Sequence, residues 1–207
     1  MPIVLNGSGT VTGISVGGLP DGIVDTDMLA ANAVSSAKLA SGVGGKLLAY
    51  QNAVKTDTST TSSTSYVDIS GLSITMTPAS AASRFRIDYS VNFAVPPSVY
   101  SGSLKLIKVV GGTTTDDIYI GDAAGNRTRC SNWTWSTNAS YSSYPVDVFS
   151  GSLIHHPNTT SAVTFKLQFK SHYTSGFIVY VNRNQNDSDS STHGRGASSI
   201  TVMELAA

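Results

Sequence analysis

An all-β domain behind an extended arm is what this 207-residue sequence predicts. Three observations carry that expectation. From residue 46 onward, apolar and polar residues alternate over short runs, the period of a strand with one buried face. Clusters of Gly, Pro, Asn and Ser punctuate those runs, as turns do. Before residue 46 the apolar residues are regularly spaced but too sparse to close a core of their own. A segment of that kind must lie on another surface or wind with copies of itself, so residues 1–45 are read as an attachment and trimerisation arm and 46–207 as a head domain.

The apolar residues of the arm expected to carry the attachment are Leu5, Val11, Ile14, Val16, Leu19, Met28, Leu29, Val34 and Leu39. Residues 11–16 alternate weakly and are expected to add a strand to a neighbouring sheet. After the turn signal Gly17-Gly18-Leu19-Pro20-Asp21-Gly22, a short repeat begins, in which Val24-Asp25-Thr26-Asp27-Met28-Leu29-Ala30 returns as Val34-Ser35-Ser36-Ala37-Lys38-Leu39-Ala40. Each copy offers an N-capping hydroxyl or Asp before one or two helical turns. Turns so short are not stable alone in water and need packing to hold them. Gly42-Val43-Gly44-Gly45 predicts a flexible joint.

In the head, residues 84–93 alternate strictly, with Phe85, Ile87, Tyr89, Val91 and Phe93 on one face and Arg84, Arg86, Asp88, Ser90 and Asn92 on the other. Residues 164–170 repeat that design behind Val163. Further strands are expected at 47–54, 66–69, 72–77, 104–110, 118–120, 129–136, 146–154, 177–181 and 200–205. About ten short strands without a helical period argue for a β-sandwich, and for that strand number a jelly roll. Residues 177–181, apolar on both faces, predict a strand either covered twice within one subunit or lying against a neighbouring one, and the second choice suits sandwiches packed round a trimer axis.

Composition narrows the function. Formal net charge is zero, and only 13% of residues are charged. Without a basic excess to neutralise phosphates, nucleic acid is not an expected partner. The single cysteine, Cys130, excludes an intrachain disulfide framework. Met1-Pro2-Ile3-Val4-Leu5-Asn6 has no signal-peptide character, and no apolar run reaches the length of a membrane span, so synthesis in a cytoplasm and no membrane insertion are expected.

The opening run of residues 5–22 and the copy Val34-Ser35-Ser36-Ala37-Lys38-Leu39 resemble small virion proteins of tailed bacteriophages, especially fibre-like proteins of phages of cyanobacteria and other marine bacteria. The ending Arg195-Gly196-Ala197-Ser198-Ser199-Ile200-Thr201-Val202-Met203-Glu204-Leu205 is similar to the last strand of their C-terminal domains, which resemble trimeric jelly rolls of the tumour-necrosis-factor and C1q type. The resemblance implies a homotrimer on the virion surface, docked on other virion proteins by its N-terminus, with an outward head. A short tail fibre is the first expectation, and a head fibre or capsid decoration the alternative. A cellular lectin-like module is a third reading.

Candidate chemistry is sparse. His155-His156, with His172 and His193, is the first place to seek a metal, but adjacent histidines on a strand face opposite ways, so no metal site is assigned. Asp187 and Asp189 alternate within the most polar run, residues 182–192, which lacks the Gly turn and distal Glu of a calcium loop and reads as a solvated contact loop. Trp133 and Trp135 share one strand face and, with Tyr141 and Tyr144, suit sugar recognition by flat apolar rings beside hydrogen-bonding groups. Core packing is the commoner fate of such indoles. Cys130 beside Arg129 reads as a buried strand cysteine. No nucleophile elbow, phosphate loop or paired carboxylate stands out, so no enzyme activity and no cofactor are expected. The expected function is host-surface recognition, of a glycan or a protein.

Overall fold

The structure, a computed structural model, describes residues 4–5, 11–12, 34, 47–96, 100–136, 145–173 and 176–207. The chain divides into two compact units, Met1–Gly45 and Lys46–Ala207. In the first, β1 (Val4–Leu5) pairs antiparallel with β2 (Val11–Thr12), with Leu5 opposite Val11. Val34 is exposed. The expected helical turns, together with Ile14, Val16, Leu19, Met28, Leu29 and Leu39, lie outside the described residues.

The second unit contains β3 (Leu47–Lys55), β4 (Ser59–Thr61), β5 (Val67–Met76), β6 (Arg84–Ala94), β7 (Tyr100–Val110), β8 (Thr114–Ile118), β9 (Asn132–Ser136), β10 (Asp147–His155), β11 (Val163–Ser171), β12 (Val179–Val181) and β13 (Ser198–Leu205). They form two antiparallel sheets. One runs β3-β13-β6-β10, with β12 and β4 continuing from β6; the other runs β5-β11-β7, with β8 and β9 sharing the outer edge of β7. The last strand lies between the first and the third long ones, and successive long strands mostly change sheets. That order is a jelly roll.

Period-two alternation explains the core. Phe85, Ile87, Tyr89, Val91 and Phe93 of β6 are buried, as are Val163, Phe165, Leu167 and Phe169 of β11 in the facing sheet. Phe85 and Phe165 meet across the sandwich at 5.4 Å between centroids, and Phe93 stacks on Phe149 at 4.6 Å. Each such side chain contributes about 1.5–3 kcal/mol by burial. Space is tight at the far end: a Cβ on Gly102 would lie 2.8 Å from the Phe93 ring and 3.0 Å from Val179 Cγ1.

Several expectations are corrected. The runs 66–69 and 72–77 are one strand, β5, carried through Gly71 at φ 86°, where its register with β11 slips between Lys166 and Gln168. The strand expected at 118–120 ends at Ile118, because Tyr119 turns to φ 55°, and its pairing begins earlier, at Thr114. The strand expected from 129 starts at Asn132. Of residues 177–181 only 179–181 form a strand, and Val179, Tyr180 and Val181 are buried within this chain itself, between β4 and β6. Of the two covers expected for this segment, the one within a single subunit is what the structure shows.

The register also shows that two edges are single strands broken by extruded loops. Along one edge of β6, Tyr180 and Val181 pair with Ala94 and Phe93, the Asn182 N–H donates to the Asn92 carbonyl, and Ser199 resumes opposite Ser90. Residues 183–197 are extruded between. Asn182 holds the break: at φ 63° and fully buried, its Nδ2 donates to the carbonyls of Lys55 (2.8 Å) and Asp57 (2.9 Å), while its Oδ1 accepts from the Ser198 hydroxyl. Asn tolerates this backbone conformation better than other side-chain-bearing residues. Along β7, β8 and β9 are likewise collinear, with 119–131 extruded, and the Ser131 hydroxyl accepts the Leu106 N–H at the gap.

Two predictions follow from this packing. Asn182→Ala strands buried carbonyls and a hydroxyl, and is expected to cost roughly 2–4 kcal/mol in urea unfolding of the whole chain. His155, at the end of β10, packs edge-on against Phe165 with Nε2 buried and, among the described residues, without a hydrogen-bond partner. Burial depresses its pKa, helped by Lys108 and His156 and opposed by Asp116. A histidine whose pKa falls on folding protonates first in the unfolded chain, so its stabilisation is whole above the ordinary histidine pKa and lost as pH falls through it. Urea midpoints should therefore drop between about pH 7 and about pH 5, and His155→Gln should flatten that slope.

Candidate functional site

Strand β9 inverts the usual alternation. Its polar residues point toward the other sheet: Asn132 Oδ1 accepts from the Tyr89 hydroxyl (2.7 Å), Asn132 Nδ2 donates to the Ser150 carbonyl (3.2 Å), and the Thr134 hydroxyl donates to Asp147. Trp133 and Trp135 are thereby turned outward, 51% and 40% exposed, with ring centroids 5.9 Å apart. The indoles are not in the core.

Register builds the rest of the site. Directly opposed residues of an antiparallel pair share a face. Trp133 is opposite Ser103, and Ser103 is opposite Lys170; Trp135 is opposite Ser101, whose carbonyl accepts the His172 N–H. Tyr66, just before β5, completes the row, with its hydroxyl hydrogen-bonded to Ser103 Oγ at 2.7 Å. His172 Nε2 reaches the same hydroxyl at 2.9 Å. The ammoniums of Lys105 and Lys170 lie 4.6 Å and 5.1 Å from the Tyr66 ring centroid, a cation–π arrangement. The extruded loop 119–131 closes one side, and Arg127, Thr128, Cys130 and Trp133 line a cleft of about 490 Å³.

The electrostatics follow from partial burial. Desolvation pushes the Tyr66 phenol up to about 12, keeping it a neutral hydrogen-bonding group. Burial, then the like charge of Lys105, lowers the Lys170 ammonium, and burial, then Lys170, lowers His172. Burial raises the Cys130 thiol against the pull of Lys105 and Lys170. Cys130 is half-buried in the loop before β9, not in a strand, and is not poised as a thiolate. Lys105 is paired with Asp117 at 2.6 Å, whereas among the described residues no carboxylate pairs with Lys170 or Arg127. What this face offers is a flat aromatic surface, hydroxyls and cations: binding chemistry.

The other residues singled out in the sequence lie elsewhere. Tyr141 and Tyr144 fall outside the described residues. Asp187 and Asp189 sit on the loop extruded from the other sheet, where the Asp187 carboxylate is held by Arg183 at 3.1 Å and Arg195 at 2.7 Å, leaving exposed Asp189. His155 turns inward and His156 outward to the Ala81 carbonyl, and among the described residues no three His, Cys, Asp or Glu side chains converge on a metal position. Tyr66, Ser103, Lys105, Arg127 and Lys170 were not foreseen as site residues. The outward parity of Lys166, Gln168 and Lys170 is legible in the alternation of residues 163–170, but their opposition to Ser103 and Trp133 needs the pairing of distant strands.

No family model matches the chain, and no curated protein matches it either. Solved structures similar to it include infectious bursal disease virus, Gx strain (10% identity, TM-score 0.38, covering 76% of this chain and 36% of that one), the Gt strain (10%, 0.37, 77% and 38%), and that virus's VP2 subviral particle (8%, 0.34, 76% and 41%). This chain thus spans less than half the length of each matched chain. Identity and overlap are too low for function to pass between them, and the jelly roll stands on this chain's own strand order.

Proposed function

We propose that this chain is a virion structural protein: a short homotrimeric tail fibre of a tailed bacteriophage, docked on other virion proteins through residues 1–45 and presenting its jelly roll to a host-surface glycan. The observation that carries this reading is the exposed indole pair with its adjoining cleft. Solvent-facing tryptophans beside fixed hydroxyls suit a sugar ring, which offers an apolar face and a rim of hydroxyl groups.

The geometry of the head is consistent with that use. The domain begins at Leu47, paired with Leu205, while β3 runs nine residues, about 30 Å, to Lys55 at the other pole. Tyr66, Trp135 and His172 lie toward that second pole, with the loop 183–197. A domain held at its Leu47 end would thus turn this face away from its support.

Trimerisation draws support from the outer face of the larger sheet. Val148 and Ile154 on β10 are 62% and 63% exposed, and Leu47, Leu48, Tyr50 and Val54 on β3 are also exposed. The register sets Tyr50 beside Met203, and Ile154 beside Arg86 in the same row. Apolar surface on that scale favours cover by a second copy.

Phage particles assembled in cells that make only the chain without residues 1–45 should lack the head, whereas normal incorporation would refute the docking role. Particles carrying Trp133→Ala with Trp135→Ala should assemble normally yet adsorb to host cells at least about tenfold less, the change expected from a loss of about 1.4 kcal/mol. Counting copies per particle tests the placement: tens fit a tail fibre, and hundreds fit a capsid decoration. Sedimentation of the full chain should give a trimer.

A further inference from the structure

The face carrying the indoles has a charge asymmetry that a neutral sugar would leave unused. Lys170 is held in the row Trp133–Ser103–Lys170, and its ammonium lies against the Tyr66 ring with that of Lys105. Arg127 lines the cleft beside Trp133. Among the described residues, Lys105 has Asp117 as its partner, and neither Lys170 nor Arg127 has a carboxylate. Elsewhere among the described residues most cations are matched: Lys55 with Asp57, Arg86 with Asp88, Lys108 with Asp116, Lys166 with Asp68, and both Arg183 and Arg195 with Asp187; Arg129, on the same extruded loop as Arg127, and Arg84, on the other sheet, also have no carboxylate partner. In a chain with 13 basic and 13 acidic residues, unmatched cations gathered beside exposed indoles are a local feature and not a global excess.

Like charge is costly here. The ammoniums of Lys105 and Lys170 share one aromatic ring, and the Lys170 side chain is partly withdrawn from water. An anion placed beside them would relieve that repulsion, and an ion pair there would be less screened than one in open solvent. The buried Ser103 hydroxyl, already engaged by Tyr66 and His172, keeps the floor of the row fixed.

We propose that the ligand of this face is an anionic saccharide, its ring stacked on Trp133 and its acid group, carboxylate or sulfate ester, paired with Lys170 and Arg127. This rests on the recognition reading above and names the class of sugar. The step is binding alone, with no bond made or broken.

The test is calorimetric titration of the full chain with three probes: oligogalacturonate, sulfated dextran of similar length, and neutral dextran. At least one anionic probe should bind, with affinity falling several-fold as NaCl rises from about 0.05 M to about 0.5 M. Lys170→Gln and Arg127→Gln should each weaken that binding about five- to tenfold, as should Trp133→Ala, while Arg84→Gln on the other sheet should leave it unchanged. Arg127 is on an exposed loop, so its variant keeps the test valid should Lys170→Gln perturb the strand. Preference between the two anionic probes identifies the acid group. Neutral dextran binding as tightly, indifferent to both cation variants, would overturn the acidic ligand and leave glycan recognition standing. Absence of binding to any probe, or equal weakening by Arg84→Gln, would also overturn it. Loss of host adsorption in the double tryptophan variant would still uphold the recognition reading in those cases.

Discussion

The second unit, residues 46–207, is closed by placing its last strand between strands that come far earlier in the chain. β13 pairs with β3 on one side and β6 on the other, so residues 198–205 bind both 47–55 and 84–90. Until those residues arrive, β3 has no partner in its sheet and the inner face of β6 lacks Ile200 and Val202 beside it. Such long-range pairing makes loop-closure entropy a large part of the folding barrier. Asn182 reconciles this closure with a surface loop: its side chain ties β12, β13 and the end of β3 together, so fifteen residues can leave the strand without breaking the sheet.

The same device at β8 and β9 produces the candidate site. Were those strands continuous, the edge of β7 would be plain ladder. The interruption brings Arg127, Thr128 and Cys130 back against Trp133, and Ser131 takes up the Leu106 N–H that the missing ladder residue would have met. Both extrusions occur where the neighbouring strand already has another partner along its opposite edge. That second partner holds the sheet through the gap.

Much of the fold was legible because burial on one face writes a period of two into the chain. Residues 84–93 and 163–170 show it plainly, and both strands proved to be inner-face strands with the anticipated parity. The misreadings have local causes. At Gly71 a left-handed residue continues a strand where a Gly suggests a break, and at Tyr119 a left-handed residue ends one where the side chains suggest continuation. β4 is only Ser59–Thr61, hydroxyl residues whose strand state comes from pairing with β12. For the site, composition pointed to the tryptophans but not to their orientation. In most strands the apolar set is buried; in β9 the Asn132 and Thr134 side chains have specific partners across the sandwich, and those bonds turn the indoles out. Lys170 and Ser103 join them only through a register spanning sixty-seven residues, which no local pattern encodes.

Leu47 and Leu205 are paired neighbours in one ladder, at the pole where β5, β7 and β10 also end. A short linker could therefore bridge them, and the chain could be reopened in the Gly111-Gly112 turn, where added side-chain atoms would meet nothing nearby. The jelly roll is topologically a ring cut at one place, and a circular permutant that moves the cut would keep every sheet contact while reversing which part of the sandwich is synthesised first.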